Sequence, residues 1–214
     1  RTDTNPGVGG LAFLPDGKNL LFSTKKVHRW DYTKDQVEQF EMSGFIDIST
    51  FLVTPDGKTA IGASTEMKYL LGSFVDVSKF EFFDIKSKRF TSNTNITKHG
   101  EKWSAVAMST SGKQIAVANK STIKVLAYPN GKLIHSLSVD DTPRQMIFSA
   151  DEKHLLSSFN NGKVIDANLS TKQNELIGGL VEAEPAGGRM AYDPNKNFII
   201  GKIGNKEIAK GKFS

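Results

Sequence analysis

Cysteine is missing from all 214 residues. That excludes disulfides, thiolate metal sites and a cysteine nucleophile. It leaves the compartment open, because a chain of this length can bury enough core to need no covalent staple. Long apolar runs are missing too. None approaches the roughly 18 residues that cross a bilayer, so no membrane span is expected. The opening stretch Arg1-Thr2-Asp3-Thr4-Asn5-Pro6 has neither an initiator Met nor the apolar segment of a signal peptide. The chain therefore reads as a processed product or a piece of a longer protein, either cytoplasmic or periplasmic and secreted. Basic clusters are also absent. The net charge is +5, but the lysines are scattered through turns (Lys18, Lys58, Lys113, Lys153) and form no basic run. This distribution reads as solubility and argues against a nucleic-acid partner.

Helical periodicity is equally scarce: no segment of 11 residues or more carries it convincingly. What is present is a repeated turn. Pro15-Asp16-Gly17-Lys18 recurs as Pro55-Asp56-Gly57-Lys58, and weaker copies follow at Thr110-Ser111-Gly112-Lys113, Ala150-Asp151-Glu152-Lys153 and Pro194-Asn195-Lys196-Asn197. Proline presets φ, aspartate bonds back to the chain and glycine takes a positive φ, so each copy is a tight turn. The steps between copies are 40, 55, 40 and 44 residues. A period of this size marks a repeat architecture.

Each turn is flanked by short apolar or alternating runs. In the first repeat these are Gly10–Leu14, Asn19–Ser23, Val27–Tyr32 and Val37–Met42. Four strands joined by tight turns make one antiparallel meander. The fifth repeat lacks a fourth run. The expected fold is all-β, a β-propeller of five recognisable four-stranded blades in one domain. The repeats fall at about 8–44, 45–97, 98–139, 140–182 and 183–214. Five blades could close by themselves if residues 1–8 supplied the missing strand. That stretch is polar and contains Pro6, which favours membership of a larger ring of seven.

These residues resemble the WD-repeat propellers and their bacterial YVTN and TolB-like relatives. Ala12-Phe13-Leu14-Pro15-Asp16-Gly17 follows the family's first-strand motif, and Trp30-Asp31 follows its third-strand signature. Phe83-Asp84 and Ile165-Asp166 are assigned to the same Trp-Asp positions in blades two and four. His99 has the family's histidine offset. No blade carries the family's full hydrogen-bonding set: blade three has Lys120 near the expected Asp and Leu126 at the expected Trp. The resemblance implies a recognition module with partners on its flat faces and at a channel lined by each blade's first strand.

Chemistry-bearing motifs are sparse. His28, His99, His135 and His154 form no metal-ligand spacing, and neither a cofactor nor a metal is expected. Gly7-Val8-Gly9-Gly10 precedes a strand, so it is no dinucleotide loop. Asp140-Asp141 reads as a turn before Pro143. Asp47, Asp76 and Glu101 could serve a hydrolase only if they converged. The candidate binding surface is the channel mouth, where Asp47, Lys102, Trp103, Arg144 and Arg189 precede or open first strands. Tryptophan and arginine are enriched in interface hot spots. Arg29 occupies a slot usually apolar in the family, and is expected to pair with an acidic side chain or bend to solvent. The longer second repeat carries an apolar insertion at 64–79, with Tyr69, Leu70 and Phe74. It is either an enlarged hairpin or a partner-docking element. The expected function is a non-enzymatic scaffold for a protein partner. A small-ligand or glycan sensor is the alternative, and a propeller hydrolase is the weakest reading.

Overall fold

In the computed structural model the first four turn copies behave alike, and residues 194–197 lie outside the described residues. The structure describes residues 10–24, 26–40, 48–70, 73–91, 96, 103–159, 161, 163–178, 189–193, 198–203, 206–207 and 211–212. The Asp16 carboxylate accepts the amide N–H groups of Lys18 at 2.8 Å and Asn19 at 2.9 Å. Asp56 and Asp151 accept from Lys58 and Lys153, each at 3.1 Å. Gly17, Gly57 and Gly112 hold φ of 62°, 68° and 70°, and Glu152 takes the same left-handed conformation at 61°. In blades two, three and four a buried hydroxyl stands two residues before the turn's acceptor. Thr54, Ser109 and Ser149 accept the amides of Thr59, Gln114 and His154 at 3.0 to 3.1 Å. Each hydroxyl thereby satisfies a half-buried backbone donor.

The turns join the strands into antiparallel meanders. Blade one is β1 (Leu11–Phe13), β2 (Asn19–Ser23), β3 (Val27–Asp31) and β4 (Gln36–Phe40). Blade two is β5 (Ile48–Val53), β6 (Thr59–Leu70), β7 (Ser73–Asp84) and β8 (Arg89–Thr91). Blade three is β9 (Ala105–Met108), β10 (Gln114–Ala118), β11 (Thr122–Ala127) and β12 (Leu133–Ser138). Blade four is β13 (Pro143–Phe148), β14 (His154–Phe159), β15 (Val164–Asn168) and β16 (Gln173–Gly178). Blade five has β17 (Arg189–Asp193) and β18 (Phe198–Ile203), with the short β19 (Lys206–Glu207) and β20 (Gly211–Lys212) both on β18. No further strand of that blade lies among the described residues. The fold is all-β, an arrangement of propeller blades. No helix among the described residues is long and apolar enough to cross a membrane.

A second turn also repeats, between the third and fourth strands. Asp31 accepts from Thr33, Asp84 from Ser87, and Asn168 from Ser170 and Thr171. Four residues after each strand end comes a positive φ, at Asp35, Lys88 and Lys172. This corrects the sequence assignment in blade four. The Trp-Asp position belongs to Ala167-Asn168, and Asp166 lies inside β15. In blade three, Asn119 caps the turn that opens β11, accepting from Ser121 and Thr122.

The chain groups into two compact units, Arg1–Lys102 and Trp103–Ser214. In each, one face of a blade packs on the opposite face of the next. In the first unit Leu14, Leu21, Val27 and Phe40 of blade one meet Ala60, Phe83 and Ile85 of blade two. The Phe40 and Phe83 rings lie 5.2 Å apart. In the second unit Ala107, Ala116, Ala118, Ile123 and Val125 of blade three meet Phe148, Leu155, Ala167 and Leu169 of blade four.

Candidate functional site

Blade four places a group of polar side chains on one face of its sheet. The hydroxyl of Ser149 holds the amide of His154 and so fixes the start of β14. Register then does the rest. His154 pairs across to Asn168, Leu156 to Asp166, Asp166 to Glu175, and Asn168 to Gln173. Directly paired residues and those two apart share a face. His154, Asp166, Asn168, Gln173 and Glu175 therefore project from the same side.

His154 Nδ1 lies 3.0 Å from both carboxylate oxygens of Asp166. Asp166 is 7% exposed. Burial pushes its carboxyl above the ordinary aspartate range; the hydrogen bond and charge of His154 pull it back, and Glu175 and Asp151 push it further up. These groups line a cleft of about 550 Å³, together with Asn174. Carboxylates, amides and an imidazole can hold a polyhydroxyl or cationic group, and the His154–Asp166 pair can share a proton.

The equivalent positions in blade one show what is unusual here. Arg29 and Glu38 form the same cross-strand pair there that Asp166 and Glu175 form in blade four. Arg29 donates to Glu38 at 2.6 Å, which is the acidic pairing expected for it, and Lys88 of blade two bonds the same carboxylate. Lys88 leads in lowering the Glu38 carboxyl, with Arg29 adding to it. Blade one thus neutralises its carboxylate, while blade four sets two carboxylates opposite each other.

The channel-mouth residues are placed in part. Asp47 and Lys102 lie outside the described residues, as do His99 and Glu101. Trp103 is half-buried, immediately before Ser104, whose amide donates to the Ala118 carbonyl at 2.7 Å. Arg144 is exposed and sits at a register shift between Pro143 and Gln145. A bulge of this kind re-aims its side chain. Arg189 opens β17, opposite Lys202. Strand β13 lies against β9 and also meets β17, so Trp103, Arg144 and Arg189 stand at the entries of three successive first strands.

The insertion of blade two is an extended hairpin. β6 and β7 run to 12 residues each and pair in register from Thr59↔Asp84 to Leu70↔Ser73. The described pairing of β5 with β6 ends at Ser64, and that of β8 with β7 begins at Phe82. Among the described residues, 65–70 and 73–78 pair only with each other. Tyr69 stands directly opposite Phe74, and Asp76 opposite Met67.

The sequence reading places Ile165-Asp166 at the Trp-Asp position that ends the third strand, which hides the His154–Asp166 pair. The signal that finds it is strand length. From the end of the blade turn, β14 and the loop after it are each one residue longer than β2 and its loop.

No protein-family model matches this sequence, and no curated protein matches it. Among solved structures, the fold is similar to that of a chain of hydrazine synthase from Kuenenia stuttgartiensis, with a TM-score of 0.66 and 19% identity. The match covers 94% of this chain and 58% of the other, so this chain spans little more than half the length of the one it matches. At that identity the likeness carries the fold alone, and the fold it carries is the β-propeller.

Proposed function

We propose that the chain is a non-enzymatic propeller of the WD-repeat and YVTN-like type that acts as a scaffold for a protein partner. The observation that supports this is the β6–β7 arm. Six residues of each strand outrun the described pairing of the blade, a reach of about 20 Å at the rise of an extended strand. An isolated two-stranded ribbon is at best marginally stable in water. By register Met67, Tyr69 and Phe74 fall on one face of this one and Leu70, Val75 and Val77 on the other, so a partner laid along either face meets three apolar residues. The test replaces 66–77 by Asn-Gly, a two-residue turn that joins the opposed pair Thr65 and Ser78. The shortened chain should melt as the parent does and lose the proteins that the parent captures from a native extract. Capture of the same proteins at the same affinity would defeat the reading.

The blade-four cleft favours a second reading, a site for a small cationic or polyhydroxyl ligand such as an amine or a glycan. Its support is the like-charged Asp166–Glu175 pair where blade one has an ion pair. Titration calorimetry with a panel of sugars and polyamines tests it. Saturable heat from the parent that disappears in Glu175→Gln supports it, and no heat from any of them counts against it.

A further inference from the structure

The β6–β7 arm has two edges as well as two faces. On the side of β6 away from β7, the last described partner is Ile48, opposite Ser64. Among the described residues no strand pairs with 65–70 on that side. The backbone N–H and C=O groups of this run can template a further strand. The same holds for 73–78 on the outer side of β7, where pairing with β8 begins at Phe82.

The two edges differ in charge. The β6 edge reads Thr65-Glu66-Met67-Lys68-Tyr69-Leu70, and Glu66 and Lys68, two residues apart, share a face. A lysine by itself guards an edge against pairing. With a glutamate two residues away, Glu66-Met67-Lys68 run antiparallel is its own complement. The β7 edge has Asp76 as its one charge over 73–78, so pairing with itself forms no ion pair.

We propose that the β6 edge of the arm pairs antiparallel with the same edge of a second copy of this chain, joining two ribbons into one four-stranded sheet. A two-fold axis through such a pair sets one residue opposite its own copy, which leaves few registers. Centred on Glu66 or on Lys68, the pairing sets like charges directly opposite, which is destabilising. Centred on Thr65 or Tyr69, it runs off the end of the free stretch. Centred on Met67, it takes in 65–69. Glu66 then faces Lys68 of the second copy and Lys68 faces Glu66 of the second copy, two ion pairs on one side of the sheet. The other side gathers Met67, Tyr69 and Phe74 from both copies. A sheet of three or more strands with an apolar face can be stable where a lone ribbon is not. The proposal concerns the edge of the arm and is independent of the scaffold reading, which concerns its faces. Mass reads the one and capture from an extract reads the other, so either can fail alone.

Size exclusion with light scattering, run on a dilution series of the 214-residue chain, tests it. The parent should show a dimer that dissociates on dilution. Glu66→Lys and Lys68→Glu each turn both ion pairs into like-charge pairs, and each should weaken the dimer by about tenfold or more. An equal mixture of the two variants restores both ion pairs in every mixed dimer. A heterodimer with parent-like affinity should therefore form, identified by native mass spectrometry. The chain carrying both exchanges should dimerise by itself. This rescue reads pairing and not folding, since one misfolded variant would not repair another. A parent that is monomeric at every concentration overturns the proposal. Single variants that dimerise as the parent does, or a mixture that stays monomeric, overturn it equally, because the contact would then lie elsewhere or follow another register.

Discussion

Glu152 and Ser111 clasp the turns of two neighbouring blades. The carboxylate of Glu152 accepts both the amide and the hydroxyl of Ser111, the hydroxyl at 3.0 Å. Glu152 does this from a left-handed backbone with φ of 61°, at the position where the other turns have glycine. A side chain in that conformation costs roughly 1 kcal/mol or more. Two hydrogen bonds to a charged acceptor offset it.

The clasp separates two substitutions. Glu152→Ala loses the bonds and keeps the strain, so it should lower stability by about 1–2 kcal/mol. Glu152→Gly loses the same bonds and relieves the strain, and should be the milder by roughly 1 kcal/mol. Urea melts of the two variants give the order; an alanine variant as stable as the glycine one would show that the strain is not there.

Apolar side chains should carry different weight according to what their face of the blade meets. Phe83 is 3% exposed against the Phe40 ring, and Phe83→Ala should cost about 3–5 kcal/mol. Val37→Ala, at a residue of blade one that is 59% exposed, should cost less than about 0.5 kcal/mol in the 214-residue chain. Denaturant midpoints at constant slope make the comparison. A large cost at Val37 would mean that its face is covered within the chain.

Glu38 carries a pH signature. Its folded carboxyl is held below the ordinary range by Lys88 first and Arg29 as well. Its contribution is therefore present above the unfolded carboxylate value and is lost as pH falls through the lower folded value. The side chains involved are about a third to a half exposed, so solvent screening limits the effect to about 0.5 kcal/mol at neutral pH. Glu38→Gln should lower the melting midpoint slightly near pH 7, less in high salt, and not at all in strong acid. An equal loss at every pH would point to packing instead.

Asp166 should behave in the opposite sense. Its folded value is raised, chiefly by burial. The protonated form is favoured in the fold, so its contribution is full below the unfolded value and is lost as pH rises through the folded one. Asp166→Asn keeps an oxygen that can accept from His154 and removes the buried charge. Its melting midpoint should equal or exceed that of the parent at neutral pH, and the gain should vanish in acid. A clear loss at neutral pH would mean that attraction to His154 outweighs the cost of burying the charge.

The repeat, the strand order and the turn chemistry were legible in the residues because they are local. A Pro-Asp-Gly-Lys turn is set by the φ of its own residues and by an aspartate bonding two and three residues ahead. The expected strand Asn19–Ser23 is β2 without change. Counting along the chain failed where a strand and a loop each gained one residue, which moved the turn-capping role in blade four from Asp166 to Asn168. The partners of His154, Glu152 and Glu38 were hidden for a related reason. These contacts join residues 12, 41 and 50 positions apart, and no local pattern encodes which strands or blades bring them together.

The residues alone thus determined the blade: short strands of period two, joined by turns whose geometry is written in three or four adjacent side chains. The tertiary structure decided what each blade face meets. Alternation says only that a strand has two sides. It cannot say that Phe148 is covered, that Phe13 at the equivalent position is open, or that Asp166 is buried against a histidine. Burial depends on the neighbouring sheet, and that sheet is contributed by sequence far away along the chain.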